Sequence, residues 1–218
     1  MELKENTFKE LLQNHSFKIP EYQKEYYWGE KQINVFIDDL LEFSQINTSE
    51  ENEQFKKYYL GHFILEKADN EEISYIMDGQ QRITTVYLFL LVCAYFEENK
   101  NIYDFIRFSP ASDDIAGLET IKRTLNYKKK GISILENLSS QAKTLSFKRM
   151  FKAIEILIKS FNEIENKKGT LEISKIKEYL KIIYTAYCTV AIFNDKAVAS
   201  QIFELHNKHG FHLVETEM

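Results

Sequence analysis

Between a short apolar run and a long apolar one, the chain reads Asp78-Gly79-Gln80-Gln81-Arg82-Ile83-Thr84-Thr85. As a plain helix start, this stretch offers Asp78 as N-cap and Gln81, three residues on, as its partner in a capping box. Gly79, Gln80 and Arg82 are left without a role in that reading. Glycine is a poor helix former, and a positive charge in the first turn opposes the helix dipole. A phosphate site uses all five residues. Gly79 lets a ligand approach the backbone, the first-turn N–H groups point at an anion, and Arg82 supplies forked donors. For phosphoryl transfer, Asp78 could hold a Mg2+ that bridges phosphates, and Gln80 or Gln81 could orient the attacking water. Of 28 Lys and Arg residues, the only arginines are Arg82, Arg107, Arg123 and Arg149. Arginine at position 82 therefore suits a bidentate role in a chain that otherwise favours lysine.

A second candidate is the segment "IPEYQKEYYW", residues 19–28. Tyr22, Tyr26, Tyr27 and Trp28 can form an aromatic edge packed on the core. They can also offer a stacking face for a base, with Gln23 and Lys24 as donors. The two readings are compatible. A third segment, residues 199–210, carries His206, Asn207 and His209 before Gly210. A metal pair would need a matching carboxylate, whereas histidines in the last turn of a glycine-closed helix are explained by the dipole and the cap.

Formal charge is −5 and the pI about 5.7, so no global positive field draws the chain to nucleic acid, and any DNA contact must be local. The candidates are the basic groups Lys128, Lys129 and Lys130, and Lys148 with Arg149; charge runs of this kind are also common on plain solvated surfaces. Cys93 and Cys188 sit in apolar stretches without a CxxC partner and read as small core residues. The N-terminus has no signal-peptide pattern, and the apolar run from Ile83 to Phe96 is too short to span a bilayer. These features lead us to expect a soluble, cytoplasmic protein.

The elements that must position these residues follow from periodicity. Ile33, Phe36, Ile37, Leu40 and Leu41 predict an amphipathic helix, followed by an exposed polar excursion over residues 44–57. "YYLGHFILEK" and "ISYIM" predict a hairpin-like pair of strands. The stretch after Gly79 is apolar on nearly every face, which predicts a buried central helix. Residues 101–120 read as irregular; helical period then returns at Phe147 to Phe161 and at Ile173 to Ile183. "YCTVAIF" predicts a strand, with Asp195 capping a final helix. The fold class is α+β, a small mixed sheet with helices and no regular βαβ alternation. A single domain is expected over 1–218, with a core over 1–100, a mostly helical extension over 101–186, and a returning strand and helix over 187–218.

Taken in order, "IPEYQKEYYW", "YYLGHFIL", "IMDGQQRITTVYLFL" and "IFELHNKHGFHL" resemble one family: the DGQQR-motif N-terminal domains of GmrSD-type modification-dependent restriction enzymes and of SspE-like phage-defence proteins. The likeness covers almost the whole chain. It implies a ParB/sulfiredoxin-like core, binding and hydrolysis of an NTP with Mg2+, and service against modified or foreign DNA. It implies catalysis by Asp78, Gln81 and Arg82. It implies nucleotide or phosphate contacts from Tyr22, Gln23, Lys24, Gly79, Gln80, Thr84, Thr85 and Asn207. Nucleotide and DNA are the expected partners, together with a nuclease domain supplied downstream or in trans. Two positions depart from the family pattern, with Lys24 and His209 standing where arginines are usual. A regulatory module that binds without turnover and a ParB-like nicking nuclease are the alternatives.

Overall fold

The computed structural model describes residues 2–48, 55–67, 72–126, 134–168, 173–195, 197–198 and 201. Its centre is α3, Gln80–Glu97, of whose eighteen residues fourteen are buried. A helix without a polar face must be enclosed on all sides, and the surrounding elements meet that demand. Helix α2, Glu30–Thr48, brings Phe36 edge-on to Phe89 of α3 at 5.6 Å. Helix α6, Leu145–Lys168, brings Phe161 within 6.1 Å of Phe89. Helices α4, Ile115–Asn126, and α7, Ile173–Thr185, pack beside it. The shorter helices are α1, Phe8–Asn14, and α5, Ile134–Gln141.

A six-stranded mixed sheet holds the N-terminal end of α3 in place. Its strands are β1, Glu2–Thr7; β2, Ser16–Lys18; β3, Tyr59–Lys67; β4, Ile73–Asp78; β5, Phe108–Ser109; and β6, Tyr187–Phe193. They lie in the order β1-β6-β3-β4-β2-β5. β3 pairs with β4 antiparallel and with β6 parallel, so β3 and β4 occupy the middle of the sheet, and β4 leads directly into α3. This is the expected α+β class, a mixed-sheet core with a helical extension.

Several sequence readings need correcting. The helix from residue 30 runs through Thr48, so the supposed exposed excursion begins inside it, with Ser44 fully buried. Ser44 donates to Glu178 at 2.7 Å, a tie between α2 and α7 that makes a polar residue acceptable there. The stretch read as irregular contains a 3-10 turn, Ser112–Asp114, and the start of α4. The N-terminal residues form β1 and α1, the latter opened by a capping box between Thr7 and Glu10. Asp195 accepts the Ala197 N–H at 2.8 Å, as a helix cap would; the remainder of that predicted helix lies outside the described residues. Cys93 and Cys188 are buried, and burial pushes both thiols up, Cys188 to about 12.

Candidate functional site

β4 ends at Asp78 and α3 starts at Gln80, with Gly79 between them as N-cap. The capping box that a plain helix start would draw from Asp78 and Gln81 does not form. Gly79 adopts φ 97° and offers no side-chain cap. The glycine answers to two demands. Its φ lies in the left-handed region, and a Cβ there would sit 2.3 Å from Phe63 Cδ1 of β3. Phe63, rather than a ligand, fills the space that a side chain would take.

Arg82 lies in the first turn of α3. Its Nη2 donates to Asp78 Oδ2 at 3.0 Å, and both side chains keep 22% exposure. The guanidinium also lies over the Phe63 ring at 5.3 Å. Two residues of β3 that periodicity did not single out complete this seat. Gly61, at φ 104°, makes room for the guanidinium, since a Cβ there would come within 1.9 Å of Arg82 Nη1. His62 Nε2 lies 3.0 Å from the same Asp78 oxygen. The signal was present in "YYLGHFIL", because a glycine inside a strand marks a close approach.

Burial raises the pKa of Asp78. The His62 hydrogen bond, the electrostatic pull of the neighbouring Arg82 and His62 side chains, and the Gly79 N–H outweigh it and hold the carboxyl below its ordinary value. Such a carboxylate is built to orient a cationic side chain. Its partners are an arginine and a histidine, and among the described residues no group of three or more potential ligands exists that could hold a metal ion. A Mg2+ held here would take only Asp78 from the described residues and the rest of its ligands from phosphate and water.

In front of Arg82 opens a cavity of about 790 Å3, a size typical of small-molecule sites. Asp78, Gly79, Gln80, Gln81 and Arg82 line one side. Tyr22, Gln23, Lys24, Tyr27 and Trp28 line another, with Tyr22 57% exposed. The first and second sequence motifs thus meet in one pocket. Arg149 of α6, read from the sequence as a DNA contact, lines the same cavity. Lys148 is exposed on α6. Lys128, Lys129, Lys130, Asn207 and His209 lie outside the described residues.

The two glutamines build the pocket wall. Gln81 Oε1 accepts the N–H groups of Tyr27 at 2.8 Å and Trp28 at 3.3 Å, and its amide donates to Glu25 O at 3.4 Å. Gln80 donates to Lys24 O. From the other side Gln23 donates to Met77 O at 2.8 Å. With its amide spent on the loop, Gln81 has no oxygen left to orient a water in the way expected. Thr84 and Thr85 also need correction as phosphate ligands. They are 1% and 0% exposed; Thr84 donates back to Gln80 O at 2.9 Å, and Thr85 Oγ1 lies 2.9 Å from the Tyr26 hydroxyl.

Behind the loop stands Asp114, which the sequence did not single out. Its carboxylate accepts the Tyr26 N–H at 2.8 Å and the Ser146 hydroxyl of α6. Burial, with Glu25 and Asp113 nearby, pushes it up to about 6 against the lowering effect of the Tyr26 N–H.

This is an α+β domain with an arginine seated at a strand-to-helix junction, facing a cavity walled by an aromatic loop. A family profile described as GmrSD restriction endonuclease, N-terminal domain, matches residues 8–218, and the chain belongs to that family. It is a component of a restriction system. No match to this chain was found among curated proteins. Among the described residues, no helix is long and apolar enough to cross a membrane.

Proposed function

We propose that this chain is the nucleotide-binding and hydrolysing sensor domain of a restriction system that acts on modified or foreign DNA. The observation that carries the reading is Arg82, held by Asp78 at 3.0 Å on the floor of a cavity of about 790 Å3. The phosphates lie against the first turn of α3 and Arg82. Tyr22, Tyr27 and Trp28 provide the wall on which a base can stack. In hydrolysis a water oxygen attacks the terminal phosphorus and the bond to the bridging oxygen breaks. Arg82 neutralises the charge that develops there. DNA contact falls to the basic residues beyond the pocket, Lys148 among those described, and cutting falls to a nuclease domain or subunit.

Arg82→Ala is expected to lower phosphate release from an NTP by about 10³-fold or more while the melting transition persists. Equal release by wild type and variant would remove the mechanism. One observation favours a second reading, a switch that binds nucleotide without turnover: the Gln81 amide is committed to Tyr27, Trp28 and Glu25. Nucleotide-dependent stabilisation of the wild type with no phosphate release would select it.

A further inference from the structure

We propose that Arg149 is the second arginine of the anion site, delivered by the helical extension, and that it makes the pocket prefer a nucleoside triphosphate to a monophosphate. The inference rests on the nucleotide reading above and concerns a residue outside the β4–α3 junction.

The placement of Arg149 follows from a buried polar anchor. Ser146, in the first turn of α6, is fully buried and donates to Asp114. The other oxygen of Asp114 accepts the Tyr26 N–H at 2.8 Å. Tyr26 belongs to the loop whose Lys24, Tyr27 and Trp28 line the cavity. The start of α6 is therefore fixed against the back of the cavity wall. Arg149 is three residues further on, a neighbour of Ser146 on the same helix face, and its side chain reaches the cavity. Among the described residues, the other cations of α6 do not line the cavity. Lys152 pairs with Glu155 at 2.9 Å and lies 3.8 Å from Glu30, Lys159 pairs with Glu155 at 2.9 Å, and Lys148 is exposed.

Charge supports a polyphosphate. Among the described residues that line the cavity, Lys24, Arg82 and Arg149 stand against the single carboxylate of Asp78. One phosphate group against the first turn of α3 satisfies Arg82. It leaves Arg149, on a different element, without an anion. A chain of three phosphates crosses from one arginine to the other, and each forked donor then meets its own oxygens.

The test is calorimetric binding to the full chain. ATP, GTP, CTP and UTP are compared first, and then the mono- and triphosphate of whichever base binds best. Arg149→Ala should weaken triphosphate binding by about tenfold to a hundredfold, the usual effect of losing charge-assisted hydrogen bonds. Monophosphate binding should change by less than about threefold. Arg149→Lys, which keeps the charge without the fork, should fall between. Lys159→Ala, the charge control on the same helix, should bind as wild type does. Arg149→Lys also carries the test if the alanine variant fails to fold. Equal losses for mono- and triphosphate, no loss in Arg149→Ala, or an equal loss in Lys159→Ala would overturn the proposal and leave the nucleotide reading standing. A wild-type chain that binds none of the four triphosphates would overturn both.

Discussion

Gly61→Ala tests how Arg82 is seated. At φ 104° a non-glycine residue is strained by roughly 1–2 kcal/mol. The added Cβ would lie 1.9 Å from Arg82 Nη1, closer than non-bonded atoms approach, and a tight 3.1 Å from Cζ. Something must move, and the far end of an arginine moves more easily than a central strand. The guanidinium should leave Asp78, at a cost of about 1–2 kcal/mol for a partly solvated, charge-assisted bond. The total is about 2–4 kcal/mol. For a chain of this size it should lower the Tm by roughly 4–16 °C. The decisive assay is a double-mutant cycle with Arg82→Ala, read by denaturant unfolding. Without the arginine, Gly61→Ala should cost only the backbone strain, so the two substitutions should couple by about 1–2 kcal/mol. Additivity within about 0.5 kcal/mol would show that Gly61 does not make room for Arg82.

Asp114→Asn should change how stability depends on pH. The folded carboxyl has its pKa raised to about 6, so its ionisation is disfavoured in the fold, and stability is lost as pH rises from the unfolded value near 4 through 6. The stability difference should therefore move toward the variant by on the order of 3 kcal/mol between pH 4 and pH 7; a difference independent of pH would contradict the burial argument. Gln81→Ala removes the acceptor for the Tyr27 and Trp28 N–H groups. Hydrogen exchange at those two amides should then quicken by about tenfold or more, as one lost buried bond implies. Unchanged exchange would mean that the loop is held by other contacts.

Much of the architecture was legible because it rests on periodicity. β6 falls on "YCTVAIF", where Cys188, Val190 and Ile192 alternate into the core. The burial of α3 follows from its lack of any polar face. What escaped depends on partners far along the chain. Ser44 reads as a loop residue until Glu178 arrives from α7. Asp114, one of two adjacent aspartates, carries no sign in the sequence of the Tyr26 and Ser146 that close on it. The pocket shows the same division. That Arg82 and the aromatic segment belong to one site could be anticipated from their chemistry. That Thr84 and Thr85 turn inward depends on which face of α3 meets Tyr26, and an all-apolar helix gives no sign of that in its own pattern.

The five residues from Asp78 to Arg82 therefore divide into two jobs. Asp78 and Arg82 form the charged floor of the cavity, while Gly79, Gln80 and Gln81 shape the space above it. The division explains how a partly buried guanidinium is held in one direction. Asp78 offsets the cost of desolvating it, Phe63 supports its face, and Gly61 leaves it room. One of its five N–H donors goes to Asp78. The side-chain entropy of holding the arginine is lost during folding, with the fork already fixed in direction. Under the proposed function, a phosphate would gain charge-assisted hydrogen bonds without the ordering cost that a mobile arginine would impose. Hydrogen bonds made by Gln80 and Gln81 hold the opposite wall in the same way, so floor and wall are both fixed by the fold.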